Sequence, residues 1–355
     1  MVMTPNARHV ICAIVVWSAC GPPGTDRGAE AAPSIDASPP PLPASVTNNA
    51  VTVVRVPGGE VVLSFLGLDE SLGPAGITRD ALRWDVGSRA WTPIAPVPGP
   101  PRIAATAQSV RGRAYVFGGY TVEEDGSERS VPEVYAYDPV SDVWSRAAPL
   151  PVPVDDAVSG VWRDSLIFLI SGWSDRDNVD AVQAYDPSSD SWRRATPIPG
   201  PPVFGHAGGI AGNTIIYVDG TRLEADSRRF ALERSSWRGE IDPLDPTRIA
   251  WTRAPDHPGP GLYRAAALGS GSRVVFVGGT DNPYNYDGIG YDGRPSEPVA
   301  TAFAWDTTTE RWIELGPPTR PTMDHRGLVR VAGRLFTLGG MTVGRRVIAD
   351  AVELP

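Results

Sequence analysis

The 355-residue chain carries 38 Gly, 37 Pro and 11 Trp, too much turn former and large aromatic for a helical protein but suited to many short strands. Its net charge of -9 leaves no basic field for phosphates or anionic lipid headgroups, which argues against a nucleic-acid partner. All 32 basic residues are Arg and none is Lys, so Schiff-base chemistry, a phosphate-loop lysine and a lysine general base are excluded.

The chain opens on a leader over 1–19: MVMTPNARH (1–9) carries one Arg, VICAIVVW (10–17) is apolar, and SAC then precedes GPPG. This is a signal peptide, too short to stay in a bilayer as a permanent span. Cys12 and Cys20 are the only cysteines, so the body of the chain has no disulfide, thiolate metal site or cysteine nucleophile. Trp17-Ser18-Ala19-Cys20 resembles a bacterial lipobox, with Trp17 where Leu is usual; the resemblance implies lipidation at Cys20. The alternative is an ordinary secreted protein cut nearby. Either reading implies export to the cell envelope or beyond, with membrane contact only through the Cys20 lipid. Residues 20–45, rich in Pro, Ala, Gly and Ser, read as a tether with too few apolar side chains to fold.

From about residue 46 the chain repeats. Six apolar runs end in Gly: EVVLSFLG (60–67), RAYVFGG (113–119), SLIFLISG (165–172), NTIIYVDG (213–220), RVVFVGG (273–279) and RLFTLGG (334–340). Five are followed by an Asp and, six positions on, a Trp: Asp85 and Trp91, Asp138 and Trp144, Asp186 and Trp192, Asp245 and Trp251, Asp306 and Trp312. The constant gap predicts a tight hairpin in which the Asp caps the turn and the Trp packs between sheets. The runs before the glycines are apolar at consecutive positions, so both faces of each strand must be covered. Small four-stranded sheets, sandwiched on both faces and repeated six times, predict a β-propeller.

The Gly pair closing the second strand, Tyr or Trp before Asp closing the third, and Trp opening the fourth resemble the kelch repeat over roughly residues 46–355. The resemblance implies an all-β, six-bladed propeller of four-stranded antiparallel blades, at about 46–100, 101–152, 153–202, 203–260, 261–318 and 319–355. Trp84-Asp85 and Trp305-Asp306 lack the Gly-His partner of a WD40 repeat and read as aromatic substitutes for Tyr. The last unit ends at DAVELP (350–355), before its fourth strand, while PPPLPASV (39–46) mirrors AAPLPVPV (147–154). Residues 34–39 are therefore expected to close blade six as its outermost strand, with Asp36 where Trp144 would sit.

In kelch propellers the lead-in to each innermost strand and the loop between second and third strands share one face around the channel. On that face stand Asn48 and Asn49, Arg102, Asp155 and Asp156, His206, Arg264, and His325 with Arg326. The cluster reads either as a site for a sugar or a carboxylate or as a solvated rim. The fifth blade adds TDNPYNYDGIGYDGRPSEP (280–298), whose Tyr284, Tyr286 and Tyr291 make an amphipathic binding loop or a mobile insertion. It fits no EF-hand, since Pro283 and Arg294 fall on ligand positions, and His206, His257 and His325 lack zinc spacing, so no metal or cofactor is expected. Similarity to the copper oxidases of this fold carries no chemistry, because their cross-linked cysteine is missing.

The expected function is a noncatalytic, monomeric propeller that binds a protein or glycan through its loop face. The alternative rests on the resemblance to six-bladed kelch mutarotases of sialic acid. It implies that Arg102, Arg264 or Arg326 holds the carboxylate while His206, Asp155 or Asp156 moves the proton.

Overall fold

The apolar runs become interior strands because each gains a hydrogen-bonded partner on both edges and a neighbouring sheet on both faces. The computed structural model describes residues 37–355. In the second blade Thr106–Val110, Arg113–Phe117, Val134–Asp138 and Val143–Ala147 pair antiparallel in chain order. Four more sheets repeat this, starting from Ala50–Val56, Val158–Trp162, Ala207–Ala211 and Ala266–Ser270. The sixth contains Val329–Val331, Arg334–Leu338 and Ala351–Glu353, and its first strand adjoins Ala50–Val56 to close the ring. Leu166–Ile170 is buried at every position, as a strand covered on both faces must be. The chain is thus an all-β, six-bladed propeller.

The repeated tryptophans fasten each blade to the one before it. The indole N–H groups of Trp144, Trp192, Trp251 and Trp312 donate to Ala95, Ala148, Thr196 and Pro255 at 2.8, 2.9, 3.2 and 2.7 Å, just beyond the preceding blade's fourth strand. Trp91 makes the same bond to Pro40 at 2.9 Å, so residues around 40 stand in for a fourth-strand exit on blade six. Pro40 is the residue that matches Ala148 when the two Pro-rich segments are aligned, so that register holds. The Leu42 and Val46 amides donate to Ala349 and Ile348, and Leu42 packs with Val331 and Phe336.

Two expectations change here. Residues 37–39 form no strand, and residues 37–45 pack on blade six instead of continuing the tether. Residues 34–36, the leader with Cys20, and the earlier part of the tether lie outside the described residues.

The turn reading holds where the hairpin is tight. Asp138 accepts from the Val140 and Ser141 amides, Asp186 from Ser188, and Asp306 from Thr308 and Thr309. Asp85 instead pairs with Arg83. In blade four the turn is longer and begins at Asp242, which accepts from Leu244, while Gly239 faces Trp251. Asp245 lies within that longer turn and still caps a backbone amide, accepting from Thr247 at 3.2 Å.

Trp192→Phe keeps an aromatic ring against Phe117 and Tyr185 but removes the donor to Ala148. It is expected to lower the unfolding free energy by about 1 kcal/mol, read from urea melts. Unchanged stability would remove the indole bond as a fastener between blades.

Candidate functional site

The lead-in to each innermost strand crosses over the glycine that ends the second strand. A Cβ on Gly119 would lie 2.6 Å from the Ile103 carbonyl oxygen, and one on Gly340 would lie 2.8 Å from that of Met323, so no side chain fits. The residue after each crossing is left-handed: Asn48 (φ 62°), Ala104 (58°), Asp156 (50°), Gly205 (62°), Arg264 (53°) and Asp324 (68°). Such a conformation costs a non-glycine residue about 1 kcal/mol or more and survives where the surroundings enforce it.

Here they do, through a closed circle of hydrogen bonds. Asn48 N donates to Asp324 O (3.2 Å), Asp156 N to Ala104 O (3.0 Å), Gly205 N to Asp156 O (2.9 Å), Arg264 N to Gly205 O (2.7 Å) and His325 N to Arg264 O (3.2 Å). The Asn48 side-chain oxygen completes it by accepting from Ala104 N at 2.5 Å.

Four side chains from this circle meet at the axis. Arg264 grips Asp156 with two donors, at 2.6 and 3.2 Å, and reaches Asp324 at 3.1 Å. Arg326 bridges the same carboxylates at 2.8 and 3.3 Å and donates to Asn48 at 3.1 Å. Thr47 and Asn48 also donate to Asp324. None of the four charged side chains is more than 4% exposed. Burial alone would raise the Asp324 carboxyl, but Arg264 and Arg326 outweigh it and hold it below its ordinary value. Below this plug lies a cavity of only about 40 Å³, lined in part by Asp156, His206, His325 and Arg326.

The fifth-blade loop lies across the plug. Tyr284 is fully buried against Phe204, Tyr263, Met323 and Met341, 5.0 Å from the Arg264 guanidinium. The Asn285 carbonyl accepts from Arg264 Nη1. Its side chain reaches blade two, donating to Glu128 at 2.6 Å and accepting from the Tyr120 hydroxyl at 3.1 Å. Tyr286 packs with Leu68, Ile103 and Tyr120, and Tyr291 returns to the rim against Phe230.

Asp155 belongs to the rim, apart from the two arginines that hold its neighbour Asp156. Its Oδ2 accepts at 2.6 Å from Ser130, whose oxygen is fixed by the Asp175 amide. Burial first, and the Asp156 charge second, push the Asp155 carboxyl well above its ordinary value. Desolvation also raises Glu128, on the Glu128–Ser130 strand that carries Ser130.

Asn48, Asp156, Arg264, Arg326 and Tyr284 thus converge, with Asp155, Tyr286 and Tyr291 around them. Arg102 does not. It stands two residues before the left-handed position and donates to the Gly118, Pro98 and Pro100 carbonyls, its pKa lowered to about 10 by burial. His206 leaves the list of proton carriers and His325 the list of ligand contacts: each lies one residue deeper, bonded to Ile170 O and to Thr322 respectively, with burial lowering its pKa to about 4. Asp324, Glu128, Tyr120 and Asn285 were not apparent in the sequence. Asp324 is recoverable by counting one residue past each crossing; the other three are joined only by the loop's path.

Arg264→Met leaves Asp156 and Asp324 short of their shared partner. It is expected to cost about 3 kcal/mol or more in urea melts, far beyond a surface ion pair. A loss under about 1 kcal/mol would show that Arg326 alone satisfies both carboxylates.

Comparison with known proteins bears on the fold and on the chemistry. Residues 101–151 match the family model for the kelch motif. The chain is 39% identical over 79 residues to the N-acetylneuraminate epimerase of Yersinia enterocolitica serotype O:8, a match covering 22% of this chain and 20% of the relative. Proteins of the same name from Escherichia coli O157:H7 and Yersinia pestis (strain Pestoides F) are 34% identical over 73 and 93 residues, covering 21% and 26% of this chain and 20% and 23% of the relatives. The chain therefore aligns with about a fifth of the length of these curated relatives. The solved structure of YjhT shares the fold, with a TM-score of 0.71 at 18% identity over 89% of this chain and 96% of that one. Relatives named as epimerases overturn the expectation of a noncatalytic binding module. The closed ring of sheets and the glycine crossings make the chain a six-bladed β-propeller, and its second blade matches the kelch motif.

Proposed function

We propose that this propeller is a sugar mutarotase or epimerase acting at the channel mouth on an acidic sugar of the N-acetylneuraminate class. The observation that carries the reading is the placement of the buried Asp155 carboxyl on the rim, bonded at 2.6 Å to Ser130 of the strand that bears Glu128 and next to the ion-paired Asp156, with burial favouring its protonated form. Two neighbouring carboxyl groups, one able to give a proton and one able to accept one, are what ring opening needs.

The proposed reaction balances without a co-reactant. As the bond between anomeric carbon and ring oxygen breaks, its electron pair stays on the ring oxygen, which takes the Asp155 proton. Glu128 accepts the proton of the anomeric hydroxyl, whose oxygen becomes the carbonyl. Rotation about the bond joining the carbonyl carbon to the rest of the open chain, followed by the reverse transfers, closes the ring on the other face and restores both carboxyl groups.

The arginines take a narrower role than the sequence suggested. Arg326 gives its hydrogen bonds to internal acceptors, and Arg102 gives three to backbone carbonyls while its Nη2 is buried without a partner. Arg264 gives one hydrogen to the Asn285 carbonyl, a neutral acceptor whose displacement leaves Arg264 paired with Asp156 and Asp324. When the turn around Asn285 lifts, a sugar carboxylate takes that hydrogen.

N-Acetylneuraminate mutarotation, followed by NMR, tests the reading. The intact protein is expected to accelerate it, with Asp155→Asn lowering kcat by roughly 100-fold or more. Since the folded pKa of Asp155 is raised, the native state holds a proton that the unfolded chain has released between the ordinary carboxyl value and the folded one. Stability contributed by this group is therefore greatest below the ordinary value and declines as pH rises through that window, so Asp155→Asn is expected to unfold no more easily at pH 7 than the parent. Absence of acceleration by the parent, or full activity in Asp155→Asn, would defeat the proposal.

A further inference from the structure

One side chain at the mouth is left without a structural task. Tyr291 is 40% exposed, and among the described residues the other strongly exposed large apolar side chains are aliphatic: Val140, Val143, Leu244 and Val343. An exposed aromatic is ordinary when isolated, but this one is held in place. Its ring stacks on Phe230 at 4.2 Å and 29°, and Phe230 packs on Trp173 and Phe204, each at 5.6 Å. Phe204 continues inward to Tyr263, whose ring lies 4.9 Å from the Arg264 guanidinium.

The backbone is fixed as well. Tyr291 N donates to Pro283 O at 2.9 Å and Gly290 N to Arg294 O at 2.7 Å. The loop that carries Tyr291 also carries Asn285 to Glu128, on the strand whose Ser130 bonds Asp155. Trp173 pairs with Asp155 at the crossing, so the aromatic run of Trp173, Phe230 and Tyr291 adjoins the polar group of Asp155, Glu128 and Asn285.

A pyranose has matching sides, with C–H bonds on the ring face and hydroxyls around the edge. Apolar surface that fixes one side while a few polar groups fix orientation is the usual construction of a small-molecule site. We propose that Tyr291 is the ring-stacking, specificity-determining residue of the site, taking the C–H face of a pyranose while its edge turns toward Asp155 and Glu128. The identity of the sugar rests on the mutarotase reading, whereas the stacking itself does not.

The experiment uses two probes on the full chain: N-acetylneuraminate, and its methyl glycoside, which cannot open its ring and so reports binding alone. Tyr291→Ala is expected to weaken glycoside binding and raise the KM for the free sugar by roughly 5- to 10-fold, with kcat within about twofold. Tyr291→Phe keeps the ring and is expected to behave as the parent. Tyr291→Phe keeps the stack on Phe230 and should unfold as the parent does, while Tyr291→Ala, which loses that stack, should remain folded at the assay temperature.

Equal glycoside affinity in Tyr291→Ala and the parent would overturn the stacking role, as would a Tyr291→Phe defect as large as that of Tyr291→Ala, which would assign the effect to the hydroxyl. No binding of either probe by the parent would also overturn it. Tyr291-dependent glycoside binding without mutarotation of the free sugar would sustain the stacking role while removing the mutarotase reading. Mutarotation that is indifferent to Tyr291→Ala would do the reverse.

Discussion

The placement of Arg264 between the carboxylates of Asp156 and Asp324 constrains everything around it. Four buried charges can be tolerated only if each is paired and its remaining hydrogen-bonding capacity is used, since removing one partner from such a group typically costs about 3–5 kcal/mol. The partners come from blades three, five and six, with Asn48 of blade one completing the set. A ring in which one blade slipped would leave charge buried without its counterion. The cluster therefore acts less as a source of net stability than as a condition on how the blades are arranged. It also fills the axis on this face, leaving a cavity too small for a sugar below it and directing chemistry to the rim.

That constraint separates two adjacent residues with the same side chain. Asp156 is left-handed and turns to the axis, where both arginines hold it. Asp155, at the crossing itself, turns to the rim, where Ser130 is its hydrogen-bond partner and the neighbouring Asp156 disfavours its ionisation. One kink in the backbone thus sorts two aspartates into one held by arginines at the axis and one bonded to a serine at the rim.

The frame was legible because its causes are local and repeated. A crossing strand leaves no room for a Cβ on Gly119, Gly172, Gly220, Gly279 or Gly340, so glycine recurs at those positions. Trp144, Trp192 and Trp312 recur because a blade without such a donor would leave the preceding blade's exit unfastened. Even the ring closure could be aligned, since Pro40 occupies the place of Ala148.

The site was less legible because its causes are not repeated. Counting back from the glycines locates a lead-in but not which residue in it is left-handed, so Arg102 was gathered in and Asp324 missed. Nothing near Asn285 in the sequence says that it touches Tyr120 and Glu128, more than 150 positions away, because that contact depends on the path of the loop across the mouth.

The same loop supplies a physical basis for choosing an acidic sugar even though the plug beneath it is electrically balanced. Two arginines and two aspartates present no net charge, so long-range attraction of an anion is weak. Selection must then come from exchange at contact. In the closed arrangement one Arg264 hydrogen already has a neutral acceptor, the peptide oxygen of Asn285, which is held nearby by the chain itself. A sugar hydroxyl offers that hydrogen a bond of the same neutral kind and gains little by displacing the loop. A carboxylate offers a charge-assisted bond of roughly twice the strength, which offsets part of the cost of lifting the loop and losing the bonds from Asn285 to Glu128 and Tyr120. Lifting the loop also frees Glu128 from its amide donor, so on the proposed mechanism the step that admits an acidic sugar is the step that readies the base.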